Sequence, residues 1–182
     1  MKYGSLDKLV DVLVNGDDLR PIEVGKYWVS IKTKEAADVP PQPGLRSPAK
    51  IEVRSWFSDA FRNGRYIRHR DRLFYLISVR DFKGDRSELV MTAWELIGDS
   101  AAYRAPGVPL QTCRVYLRYK TPFYDQNGQV VDYRTFAEVA QIETGRLEAG
   151  AELYIGTETF NVIAIADDVD DGVVRGLWLE RI

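Results

Sequence analysis

Cysteine and histidine are almost missing from this sequence: 182 residues carry one of each, Cys113 and His69. A lone cysteine excludes a disulfide framework within the chain and fits a reducing compartment. One histidine and one cysteine cannot supply a zinc site of the usual Cys/His type from a single chain, and no cofactor is expected. No apolar run approaches the roughly 18 residues that a membrane-spanning helix needs, so no membrane partner is expected. The opening stretch, Met1 to Asp7, reads as too polar for a secretory signal. Neither sign of charge dominates, since 25 Lys+Arg stand against 27 Asp+Glu. The halves differ, however: residues 1–98 hold 17 basic and 14 acidic side chains, and residues 99–182 hold 8 and 13. Such an imbalance suits a particle with one basic and one acidic end.

The same scarcities argue against catalysis. A Ser-His-Asp or Cys-His arrangement requires His69, which stands among Arg62, Arg65, Arg68, Arg70 and Arg72 with only Asp71 to orient it. A surface histidine in a basic strand is the plainer reading. Cys113 opens an alternating segment and reads as a small, half-buried hydrophobe. The acid cluster Asp167-Asp168-Val169-Asp170-Asp171-Gly172 does not have calcium-loop spacing and is expected to be a solvated hairpin turn, with no metal. No glycine-rich phosphate loop and no pair of carboxylates suited to acid–base work is present. An enzyme is therefore not expected, and no catalytic residue is nominated.

What the sequence does have is β-pattern. Its hydrophobic share of 45% is that of a folded protein. Tyr27–Lys32, Ile51–Phe57, Arg114–Lys120 and Phe136–Ile142 alternate and are rich in aromatic and β-branched residues, as strands are. Between the first two lies Thr33 to Lys50, with four prolines, a long irregular loop of the kind that is usually functional. Asn127-Gly128 marks a tight turn in the corresponding place later in the chain. At the start, Leu6, Leu9, Val10 and Leu13 recur at helical spacing behind Ser5 as a cap, so a short N-terminal helix is expected.

The second half also repeats the first. Phe74–Val79, Asp81, a polar loop and Leu89–Ile97 are echoed by Phe160–Ile165, Asp167-Asp168, a polar loop and Val173–Ile182, each with a Trp and a Glu near the close. The expected fold is mainly β: two small β-barrel domains in tandem with a short N-terminal helix. The first barrel is placed at residues 1–98, a linker at 99–112 and the second barrel at 113–182. In the arginine-rich stretch, Arg68, Arg70 and Arg72 alternate with His69, Asp71 and Leu73 as an exposed face would, open either to nucleic acid phosphates or, the favoured reading, to acids of a neighbouring subunit.

Residues 65–97, from Arg65-Tyr66-Ile67-Arg68-His69-Arg70-Asp71-Arg72-Leu73-Phe74-Tyr75-Leu76-Ile77-Ser78-Val79 to Trp94-Glu95-Leu96-Ile97, resemble the closing part of tailed-phage head–tail adaptor, or head-closure (stopper), proteins. The resemblance spans about residues 26–97. It returns more loosely over 113–182, through Asp125-x-x-Gly128-x-Val130 and Leu153-Tyr154-Ile155-Gly156. It implies a structural subunit of the virion neck, assembled in the bacterial host cytoplasm into a homo-oligomeric ring of six or twelve copies. That ring would join the portal or adaptor ring to a tail terminator or tail tube protein. It would also hold packaged double-stranded DNA in its channel until ejection.

The family's channel loop maps onto Thr33 to Lys50, with Lys32, Lys34, Pro40, Pro41, Gly44, Arg46 and Lys50 as DNA-facing candidates. Arg65, Arg68, Arg70, Arg72, Asp125 and Asp168 are the subunit or neck interface candidates. The family is typically a single barrel, whereas two are expected here, so six chains would present twelve barrels. A tail terminator or tail-completion protein is the alternative in the same setting. A tandem-barrel nucleic-acid-binding module, stacking bases on Trp28, Trp56, Tyr66 and Phe82, is the alternative from another class.

Overall fold

The structure is a computed structural model that describes residues 6–34, 44–124 and 127–182. The protein is mainly β. It divides into two units, one running through Gly16 and over Pro21–Ile97, the other comprising Asp17–Arg20 and Gly98–Ile182.

The first unit contains β1 (Lys8–Asn15), β2 (Pro21–Thr33), β3 (Arg46–Trp56), β4 (Tyr66–His69), β5 (Arg72–Asp81) and β6 (Glu88–Leu96). The strands are ordered β1-β2-β3-β6-β5-β4, and β4 returns to β1 through Asp11↔Arg68, Val12↔Ile67 and Leu13↔Tyr66, closing a barrel. Alternation explains the core. Val10, Val12, Val29, Ile51, Val53, Phe74, Leu76 and Met91, at every second position of their strands, point inward and are buried.

The second unit contains β7 (Asp99–Arg104), β8 (Gln111–Tyr124), β9 (Val130–Ala140), the one-turn helix α1 (Gln141–Thr144), β10 (Glu152–Ile155), β11 (Glu158–Ala166) and β12 (Val174–Arg181). Its sheet runs β10-β11-β12-β9-β8-β7, with β7 pairing β10 at Leu153↔Tyr103. Replacing β1 to β6 by β7 to β12 in turn converts the first strand order into the second. The match extends to local detail. Gly64 (φ 83°) donates its N–H to the Leu76 carbonyl at 2.9 Å, and Gly150 (φ 89°) donates to that of Val162 at 2.8 Å. The register shifts between Leu76 and Ser78 in β5 and between Val162 and Ala164 in β11.

Three expectations change. The N-terminal helix is instead the strand β1: Val10, Val12 and Val14 also alternate, and this β-branched period-2 pattern prevails over the helical one. A bulge between Val12 and Leu13 turns both inward while Leu9 stays 44% exposed, which is how a strand imitated helical spacing. Of the expected linker 99–112, Asp99–Arg104 is strand β7 and Gln111–Thr112 begins β8. The Trp residues of the repeat are also offset. Trp94 pairs with Tyr75, but Trp178 pairs with Ala164, the counterpart of Ser78, so Trp178 occupies the place of Thr92.

Candidate functional site

The loop candidates are rooted where β2 and β3 end. Lys32 is the register partner of Glu52, and the ladder continues one step further, with the Lys34 N–H donating to the Lys50 carbonyl at 2.9 Å. Lys32, Lys34 and Lys50 are exposed. The Lys34 ammonium pairs with Glu52, which also receives Arg54 Nε at 2.9 Å. The hydrogen bond from Lys34, joined by that from Arg54, holds the Glu52 carboxyl below the usual carboxylate range against the opposing effect of burial. Arg54 continues to Glu88 at 3.3 Å, so a chain of alternating charges braces the outer side of β3.

Arg46 is half-buried, with its guanidinium 4.8 Å from the centre of the Trp94 ring, held against the barrel by a cation–π contact. Gly44 is half-buried, and the adjoining Leu45 is fully buried and accepts the Ile97 N–H at 2.7 Å. Pro40 and Pro41 lie outside the described residues.

The arginine stretch does not form one face. Arg70 has φ 54° and sits in the turn between β4 and β5, so Arg68 and Arg72 stand on different strands of a hairpin. Asp71, in the same turn, offsets part of the local charge. Arg68 reaches Asp11 at 3.1 Å, and Lys26 reaches the same carboxylate at 2.8 Å. The Lys26 hydrogen bond, with Arg68 adding to it, lowers the Asp11 pKa despite partial burial. Arg72 forms a two-pronged contact with Glu95, at 2.6 and 2.8 Å. Arg65 donates to the Ala60 carbonyl at 2.7 Å and fastens the loop before β4. Each of these three arginines thus has a partner inside its own barrel. Asp168 is exposed in the β11–β12 turn, and Asp125 lies outside the described residues.

The aromatic candidates divide. Tyr66 is fully buried, whereas Trp28, Trp56 and Phe82 are exposed. The Arg54 guanidinium lies 5.3 Å from the Phe82 ring centre and that of Arg86 lies 4.7 Å from Phe57, so cations and aromatics mix on the surface of the first unit. Sequence reasoning did not find the exposed apolar residues of the second unit, among them Tyr124, Val131 and Tyr133. They alternate just as core residues do, and period alone does not say which side of a strand faces water.

Cys113 is buried, and burial pushes its thiol up to about 12. In the acid turn, Asp171 accepts the Val173 and Val174 N–H groups at 3.0 Å each, and Asp170 binds Arg175 at 3.0 Å. Among the described residues no three His, Cys, Asp or Glu side chains are grouped to hold a metal ion. No protein-family model, no curated protein and no solved structure matches the chain.

Proposed function

We propose that this protein is a structural subunit of a tailed-phage neck, a ring that joins the portal or adaptor to the tail and closes the DNA channel after packaging. The observation that carries the reading is the root of the 33–50 loop. Lys32, Lys34 and Lys50 are exposed where β2 and β3 leave a closed barrel, at the place to which the adaptor resemblance assigns the channel loop. Ammonium groups at a channel loop would meet DNA phosphates without reading sequence. The shared strand order, shared bulge and shared glycine hydrogen bond of the two sheets support a tandem of two related barrels that arose by duplication.

The test is disruption of the gene in its phage or prophage, followed by electron microscopy of the lysate. Filled or leaking heads beside complete, unattached tails are expected. Overlong tails would replace the reading with tail termination, and normal infectious particles would remove the virion role. Deleting residues 36–43, which spares the buried Leu45, is expected to leave heads joined to tails while DNA escapes. Full DNA retention would sink the gating role of the loop.

One observation favours a second reading, a nucleic-acid-binding module. Trp28, Trp56 and Phe82 are exposed, and the cationic Arg54 lies 5.3 Å from the Phe82 ring centre, the mixture of aromatics and cations that a base-stacking platform uses. Affinity for single-stranded oligonucleotides that falls with salt would support it, and none at low salt would remove it.

A further inference from the structure

The strands β8 and β9 outrun their barrel. The last pair of β12 with β9 is Leu179↔Thr135, and the last pair of β7 with β8 is Asp99↔Val115. Beyond those points β8 and β9 pair only with each other, through Thr121↔Arg134, Pro122↔Tyr133, Phe123↔Asp132 and Tyr124↔Val130. A two-stranded ribbon is marginal in water unless one face is packed.

The two faces of this arm are unlike. One carries Phe123, Asp132 and Arg134. The Phe123 ring meets Trp178 edge-on at 5.1 Å, Arg134 lies 4.0 Å over Phe123, and Arg134 pairs with Asp132 at 3.4 Å. Its polar groups are thereby satisfied within the unit. The other face carries Tyr133 with its register partner Pro122, and beyond them Tyr124 and Val131; Tyr124, Val131 and Tyr133 are 55%, 63% and 65% exposed. Contiguous exposed apolar surface of this kind marks an interaction site.

A matching surface lies on the first unit. Leu9 and Trp28 are register partners on β1 and β2. Trp56 on β3 stands one step beyond the pair Val29↔Ser55, opposite Trp28. Val29 and Ser55 point into the barrel, so Leu9, Trp28 and Trp56 form an outward row across three strands, 44%, 55% and 62% exposed. The charges are complementary as well. The first unit holds 16 Lys+Arg against 12 Asp+Glu, and the second holds 9 against 15.

We infer that the exposed apolar face of the β8–β9 arm docks on the Leu9–Trp28–Trp56 row of a second copy of this chain. The two surfaces differ, so the contact is heterologous and passes from copy to copy, as a ring or an open filament requires. It rests on the neck-ring reading for its closure into a ring, and on the two faces themselves for the contact. Tyr133 and Tyr124 supply rigid aromatic area to a row that already carries two Trp, the residue types that anchor interfaces.

The test uses the full chain with Trp28→Cys and, separately, Tyr133→Cys, joined by a short bis-maleimide. The buried Cys113 thiol is unreactive and serves as the internal blank. Each variant alone is expected to remain uncross-linked. An equimolar mixture is expected to give the mixed dimer, and the chain with both substitutions a ladder of linked copies. Mixed and like dimers in statistical proportion, or no cross-link at concentrations where the wild type sediments as an oligomer, would overturn the interface. Either variant that fails to match the circular dichroism of the wild type is replaced by Leu9→Cys or Tyr124→Cys. Loss of necks on gene disruption together with absence of the mixed cross-link would overturn this interface alone and leave the neck reading standing.

Discussion

The repeat places one ion pair at the same position in both sheets with its polarity reversed, and this can be measured. In the first unit Arg72 on β5 grips Glu95 on β6 through both prongs, at 2.6 and 2.8 Å, with side-chain exposures of 43% and 16%. In the second unit Glu158 on β11 meets Arg181 on β12 at 2.8 Å, with Arg181 69% and Glu158 24% exposed. The bidentate geometry and the sheltered carboxylate favour the first pair, while the exposure of Arg72 screens it, so its coupling should reach about 0.5–1 kcal/mol. The second pair is more exposed and should give about 0.2–0.5 kcal/mol.

A double-mutant cycle with Arg72→Ala and Glu95→Ala isolates the coupling from the packing of Arg72 over Phe74, where the guanidinium lies 4.8 Å from the ring centre. Denaturant unfolding can be followed by tryptophan fluorescence, since Trp28, Trp56 and Trp94 report on the first unit. The exchanged variant Arg72→Glu with Glu95→Arg reproduces the polarity of the second unit and should recover most of the stability that either single reversal loses. At about 1 M salt, where the Debye length is about 3 Å, the coupling should shrink. A coupling indistinguishable from zero at low salt, or an exchanged variant no more stable than Glu95→Arg alone, would refute the reasoning.

Three other expectations are simpler. A Cβ on Gly98 would stand 2.7 Å from the Val115 carbonyl oxygen and 2.9 Å from its carbon, so Gly98→Ala should force strand backbone apart and cost about 1–3 kcal/mol in thermal or denaturant unfolding; an unchanged midpoint would contradict it. Arg175 has a side chain only 9% exposed and binds Asp170 at 3.0 Å, so Arg175→Met should strand that carboxylate and cost about 2–3 kcal/mol, less than a fully sealed pair because Asp170 keeps 25% exposure and the Gln141 amide. Asp11 and Glu52 have pKa values lowered by folding, so they stabilise above their unfolded value of about pH 4 and lose that contribution as pH falls through the folded values. The variant Asp11→Asn with Glu52→Gln should therefore show a flatter stability curve below about pH 4, and a curve as steep as the wild type's would rule out this linkage.

The β class was legible because it depends on local pattern: β-branched and aromatic residues at period 2, punctuated by turn residues, leave the backbone few other ways to bury them. The repeat was legible for the same reason, since strands in the same order keep their alternation even where the residues differ. Its true register was not. Trp94 and Trp178 invite superposition, yet the bulges and ladder pairs place them two residues apart. Helix against strand at Leu6–Leu13 was also undetermined locally, because both periods are present in that segment. Pairing with β2 and β4 decides it, and those partners lie far along the chain.

The candidate sites show the same division. The sequence by itself determined that cations and prolines gather between Ile31 and Lys50, that arginines crowd residues 62–72, and that cysteine and histidine are scarce. Only the tertiary structure decided what those side chains do. It turned the chain at Arg70 and split the arginine face, and it gave Arg65, Arg68 and Arg72 partners in their own barrel. It also buried Tyr66 while leaving Trp28, Trp56 and Tyr133 in water. The physical reason is that alternation establishes two faces for a strand, but closure of the sheet determines which face becomes the inside, and closure is made by partners that no local stretch of sequence contains.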